Sequence, residues 1–186
     1  MSVQVARRYF TIEEYHRMGD AGIFSEDDRV ELLDGEILKM SPIGSRHVAS
    51  INRLHTQFTR LLGGRAIVSV QNPVVLNDFS EPQPDIAILK ARDDFYAQAL
   101  PRAADVLLIV EVGDTSVEYD RGVKLPAYAR SGISEVWIVD LLAEKVTVHT
   151  ELANGVYSAV SSCQRHDSIT PRHFPSVSIA VASIIG

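Results

Sequence analysis

Asp85 and Glu111 are the residues best suited to chemistry, because each carries a carboxylate into an apolar run. Asp85 lies in Pro82-Gln-Pro-Asp-Ile-Ala-Ile-Leu89, and Glu111 lies near the end of Val106-Leu-Leu-Ile-Val-Glu-Val112. Prolines cannot donate to a sheet ladder, so Asp85 is expected at the mouth of a strand. A glutamate in a strand that is otherwise apolar is costly to bury unless it is paired or bound to a cation. Two carboxylates at the ends of adjacent strands would make a hard-oxygen pocket suited to Mg2+ or Mn2+. Each also has a plainer role open to it: Asp85 could cap a turn, and Glu111 could pair with a core arginine.

The elements around them read as one domain over residues 1–186 of α/β (α+β) class. Thr11 can cap a first helix, with Glu13 and Glu14 in its first turn and Gly19 or Gly22 at its end. Asp34-Gly35 between two short apolar stretches signals a hairpin. Ser41-Pro42 is expected to open a second helix, whose apolar positions Val48, Ile51, Leu54, Phe58, Leu61 and Leu62 recur every three or four residues up to Gly63-Gly64. Extended segments are expected at 66–70, 74–76, 86–89, 106–112 and 135–140. A helix over 117–130, kinked by Pro126, separates the last two. The tail from Lys145 reads as a hairpin and a closing segment. The result is a sheet with helices packed on it.

These segments carry an ordered set of short motifs: Glu31-Leu-Leu-Asp-Gly-Glu36, Ser41-Pro42 with His47, Pro84-Asp85-Ile-Ala, Glu111-Val112 with Ser116, Asp120-Arg-Gly-Val-Lys124, Tyr128, Gly132 and Glu135-Val-Trp-Ile-Val-Asp140. The set, spanning roughly residues 10 to 180, resembles the restriction-endonuclease-like family abundant in cyanobacteria and related bacteria, within the PD-(D/E)XK nuclease superfamily. The resemblance implies a restriction-endonuclease-like core with a central mixed sheet flanked by helices. It implies Asp85 and Glu111 as ligands of Mg2+ or Mn2+, and hydrolysis of DNA phosphodiester bonds by a metal-activated water.

The superfamily's lysine belongs two residues after the glutamate, where this sequence has Gly113. The narrower family has a lysine at the position of Lys124. Asp120, Lys124 and Tyr128 are four residues apart and share a helical face. Lys124 is therefore expected to do the missing lysine's work, with an ordinary surface pair to Asp120 as the plainer role. Glu31 is a further candidate acid, since the superfamily often adds one from an early element; a salt bridge with Arg29 or Arg46 is its alternative. His47 could touch phosphate or site water, or be structural. Arg46, Arg53, Arg60 and Arg65 surround the same helix and could grip a DNA backbone or form a solvated face. Trp137 reads as a core or dimer-interface aromatic.

Eighteen basic against 24 acidic residues give a formal charge of −6, which argues against a surface that coats nucleic acid nonspecifically. Cys163 is the only cysteine, so neither a disulfide nor a thiolate zinc site can form within the chain, and a cytoplasmic setting is expected. No secretory signal and no membrane-spanning run is read. A homodimer acting on DNA is expected, because a two-fold axis places one site on each strand of a duplex. The apolar 135–142 segment is the sequence feature that could support it. The competing reading is a non-enzymatic nucleic-acid-binding or dimeric scaffold protein that keeps the fold.

Overall fold

A six-stranded mixed sheet forms the centre of the computed structural model, which describes residues 7–25, 27–40, 42–114 and 117–186. Its strands are β3 (Ala66–Val70), β4 (Ile86–Lys90), β5 (Val106–Gly113), β6 (Glu135–Asp140), β7 (Lys145–Ala153) and β8 (Val156–Gln164), in spatial order β3-β4-β5-β6-β7-β8. Every neighbouring pair is antiparallel except β5 with β6. A parallel pair needs a crossover, and the helical segment 117–130 supplies it.

Before the sheet come α1 (Ile12–Asp20), the hairpin of β1 (Val30–Leu33) with β2 (Glu36–Lys39), and α2 (Ser45–Leu62). Thr11 and Glu14 close a reciprocal capping box at the start of α1. The hairpin turns on Asp34 and Gly35, with φ of 49° and 78°, the left-handed pair that a two-residue connection requires. Gly35 is doubly constrained, because an added Cβ would lie 2.6 Å from Tyr9 Cβ.

Alternation along β5 divides the core. Leu108, Val110 and Val112 face α2, where Leu54, Phe58 and Leu62 cover them together with Trp137, Val181 and Ile184. Each fully buried side chain of this kind contributes about 1.5–3 kcal/mol through burial. Ile109 faces the opposite layer, with Val117, Tyr128, Ile133 and Ile138. Glu111, two residues after Ile109, points to that layer, and only 2 % of it is exposed.

Several expectations need correction. Gly44 is extended and caps α2 without a side chain, so the helix starts at Ser45 rather than near Ser41-Pro42. Ser41 itself, like Ser116 of the motif set, lies outside the described residues. Residues 74–76 form no strand. Val74 and Leu76 donate to Pro82 and Ser80, leaving Val75 one isolated bridge with Arg102. The irregularity expected at Pro126 lies just before it, Pro126 itself standing in the first turn of the α-helical stretch that follows. The segment 117–130 is instead α3 (Val117–Tyr119), a wide π-turn (Asp120–Lys124) and α4 (Leu125–Arg130), with the Leu125 N–H reaching back to the Asp120 carbonyl. The 135–142 segment is mostly interior: β6 lies between β5 and β7, and Trp137 is fully buried, donating to Glu135. That removes it as the surface supporting a dimer.

The tail forms the β7–β8 hairpin, a short pair of β9 (Ser168–Ile169) with β10 (Ile179–Ala180), and α5 (Val181–Ile185). Among the described residues no helix is long and apolar enough to cross a membrane.

Candidate active site

Asp85 immediately precedes β4, and β4 pairs Ile86 with Val110 of β5. The register therefore sets Asp85 beside Glu111, and the Asp85 N–H reaches Glu111 Oε2 at 3.3 Å. Asp85 Oδ1 accepts from His47 Nε2 at 3.0 Å and Gln71 Nε2 at 3.1 Å, while Oδ2 accepts from the Val112 N–H at 2.9 Å. Glu111 Oε1 accepts from the Tyr128 hydroxyl at 2.5 Å.

From the helical side the π-turn buries both Asp120 and Lys124. The Lys124 ammonium lies 3.4 Å from Glu111 Oε1 and 3.3 Å from Glu31 Oε2. Glu31 comes from β1 and is 1 % exposed. It also accepts from the Gln83 N–H at 3.0 Å and the Tyr119 hydroxyl at 3.4 Å. The four carboxylate and ammonium groups singled out in the sequence, Asp85, Glu111, Lys124 and Glu31, thus meet in one cleft of about 330 Å³, which His47, Gln71 and Asp114 also line.

Charge in this cleft is unbalanced. Five carboxylates (Glu31, Asp85, Glu111, Asp114, Asp120) and three basic side chains (Arg29, Lys39, Lys124) line it among the described residues, a formal excess of two negative charges. Burial pushes the Glu111 carboxyl up to about 8. The Lys124 ammonium opposes that rise, and Asp120 and Asp85 add to it. Burial alone would lower Lys124, but Glu111 and Glu31 outweigh it and raise the ammonium above its usual range. Tyr128 is raised well above the usual phenol range, first by burial and then by Glu111, so it stays a donor.

The donor set suits a magnesium-like ion in kind: hard carboxylate oxygens from two adjacent strands, with no thiol nearby. Among the described residues no three His, Cys, Asp or Glu side chains converge as a cage. Mg2+ keeps several waters and needs only one or two carboxylates.

Sequence reasoning placed some residues differently and overlooked others. Glu31 pairs with Lys124, not with Arg29 or Arg46. Tyr128, on the face shared with Lys124, donates to Glu111. Gln71, Gln83 and Tyr119 went unnoticed, although a glutamine directly after an apolar strand and before Asn72-Pro73 was a readable signal for the first. Three of the four arginines around α2 are engaged with backbone carbonyls. Arg46 donates to the Leu141 carbonyl, Arg53 to that of Ile185, and Arg65 to those of Leu61 and Leu62.

Comparison with known proteins agrees with this architecture. The chain is similar over 95 % of its length, and 97 % of the other's, to a crystal structure described as "a putative nuclease belonging to DUF820 from Anabaena variabilis ATCC 29413". The TM-score is 0.72 at 11 % identity, a likeness of fold. A search of curated proteins finds no match. A family model, Uma2, described as "Putative restriction endonuclease", matches residues 12–182. With nearly the whole chain matched and the nuclease-type sheet in place, this protein belongs to the Uma2 family.

Proposed function

We propose that this chain is an endonuclease that hydrolyses DNA phosphodiester bonds with Mg2+ or Mn2+, held by Asp85 and Glu111. The observation that carries this reading is the Lys124 ammonium buried against Glu111, 3.4 Å from its Oε1, in a cleft where carboxylates outnumber bases. Buried acidic charge in excess of its partners is costly unless a cation joins it. The chemistry a divalent ion supplies when bound is charge stabilisation at phosphoryl oxygens and a more acidic water.

The chain's own residues supply the rest. Gly113 offers no side chain at the superfamily's lysine position, and Lys124 brings an ammonium to the same carboxylate from the π-turn. An ammonium has three N–H donors. Glu31 and Glu111 engage two sides of it, leaving a donor for a phosphate oxygen as negative charge builds there. Glu31 acts through Lys124 as a positioning residue. Tyr128 holds Glu111, and the Val112 N–H holds Asp85.

The test is cleavage of supercoiled plasmid with Mg2+ or Mn2+, compared with Asp85→Ala and Glu111→Ala. Metal-dependent nicking that both substitutions abolish supports the reading. Salt-sensitive DNA binding without cleavage by the wild type under either metal overturns it in favour of a non-enzymatic binding module. We propose further that the protein works in the cytoplasm as a homodimer, one site per DNA strand. Light scattering that reports a single-chain mass across micromolar concentrations would reject the dimer.

A further inference from the structure

The hydrogen bonds at Asp85 are distributed unevenly between its two oxygens. A carboxylate oxygen has two lone pairs. Oδ1 has both engaged, by His47 Nε2 at 3.0 Å and Gln71 Nε2 at 3.1 Å. Oδ2 has one engaged, by the Val112 N–H at 2.9 Å. Glu111 repeats the pattern: Oε1 meets the Tyr128 hydroxyl and the Lys124 ammonium, and among the described residues Oε2 meets only the Asp85 N–H, at 3.3 Å. The two oxygens with room left among the described residues are linked through one backbone junction, since Asp85 N–H reaches Glu111 Oε2 and Val112 N–H reaches Asp85 Oδ2.

The donors on Oδ1 come from two separate elements. His47 comes from the first turn of α2, with its side chain 15 % exposed. Gln71 follows β3 with φ of 52°, a left-handed conformation uncommon for a residue with a side chain. Such backbone strain persists where surrounding contacts fix it, and it clusters at functional sites.

We propose that His47 and Gln71 are positioning residues that fill Asp85 Oδ1, so that Asp85 meets a divalent cation through Oδ2 alone, beside Glu111 Oε2. This rests on the metal-dependent reading above. The pair sets both the rotation of the carboxylate and the number of its oxygens open to the ion. Partners of this kind around ligating side chains typically change metal affinity ten- to a hundredfold when removed.

The experiment is Mn2+ titration followed by the paramagnetic resonance signal of the free ion, on wild type, His47→Ala, Gln71→Ala and His47→Gln, each checked for folding by circular dichroism. Both alanine variants are expected to bind Mn2+ roughly ten- to a hundredfold more weakly. His47→Gln, whose amide can donate to Oδ1 again, is expected to recover most of the loss. Folded alanine variants that bind Mn2+ within twofold of wild type overturn the inference while leaving the nuclease reading intact. A His47→Gln variant as weak as His47→Ala also overturns it, because the loss is then not that of a donor. Should His47→Ala fail to fold, Gln71→Ala and His47→Gln decide the matter. A wild type that binds no Mn2+ removes the nuclease reading and this inference together.

Discussion

Lys124 Nζ stands 3.3 Å from Glu31 Oε2 and 3.4 Å from Glu111 Oε1, so a single ammonium ties the β1–β2 hairpin to the central sheet. The hairpin belongs to a separate two-stranded ladder, joined to the rest by contacts such as the Leu32–Glu81 bridge. Charge at the site therefore has a structural consequence as well as a chemical one.

Replacing Lys124 by methionine removes the cation and leaves two buried carboxylates facing each other. Breaking one partner of a buried ion pair costs about 3–5 kcal/mol, so the metal-free variant should melt well below wild type. The sequence alone suggests instead that Lys124 can be removed with little effect on folding; its burial reverses that expectation. Because a divalent ion would offset the exposed charge, millimolar Mn2+ should raise the variant's Tm by more than it raises that of wild type. Plasmid cleavage should fall by roughly a hundredfold or more, the scale of losing one preorganised donor. Equal Tm values for the two proteins without metal would contradict this account.

Tyr128→Phe deletes one buried hydroxyl and nothing else. Its partner Glu111 Oε1, on a carboxylate only 2 % exposed, loses a 2.5 Å hydrogen bond. A loss of about 1–3 kcal/mol in urea denaturation is expected, together with weaker Mn2+ binding. Unchanged stability and unchanged metal affinity would show that Glu111 is held by Lys124 alone.

His149 supplies the clearest pH dependence away from the cleft. Burial lowers its pKa below 6.5, and Arg121 lowers it further. The unfolded chain then takes up a proton more readily than the folded one. Stability is full above 6.5 and declines as pH falls through that value toward the lower folded pKa. His149→Gln should flatten the stability profile as pH falls through 6.5. Parallel profiles for the two proteins in urea melts at several pH values would rule this out.

Gly35→Ala tests the hairpin. The residue has φ of 78°, and a methyl group would meet Tyr9 Cβ at 2.6 Å. The change should cost more than about 1 kcal/mol, whereas Gly19→Ala, in α1 with nothing within 4 Å of the added Cβ, should be neutral or stabilise by up to about 1 kcal/mol.

Local rules were readable in the sequence where the chain obeyed them locally. Asp34-Gly35, the Thr11 capping box and the 3.6-residue pattern of α2 follow from neighbours within a turn. The apolar run around Glu111 marked an interior carboxylate because alternation and burial are properties of one strand. Partnership was harder. That Glu31 would find Lys124, 93 positions away, depends on where a hairpin outside the main sheet docks, and no spacing encodes that docking. Gln71 was missed because its role depends on a left-handed φ that glutamine rarely adopts. The π-turn was missed because Pro126 signals a break in a helix but not the way the chain absorbs it.

The wide turn at Asp120–Lys124 is equivalent to one extra residue slipped into an otherwise regular helix. Such an insertion shifts the phase of everything on one side of it relative to the other. Tyr119, which reaches Glu31, and Tyr128, which reaches Glu111, therefore need not obey a common helical repeat. Deleting one residue here, such as the part-exposed Val123, would leave a helix of ordinary pitch with its two halves out of step. Along this stretch the site is thus more vulnerable to a change in chain length than to many changes in residue type. Homologous sequences aligned across it should keep their residue count even where their letters differ.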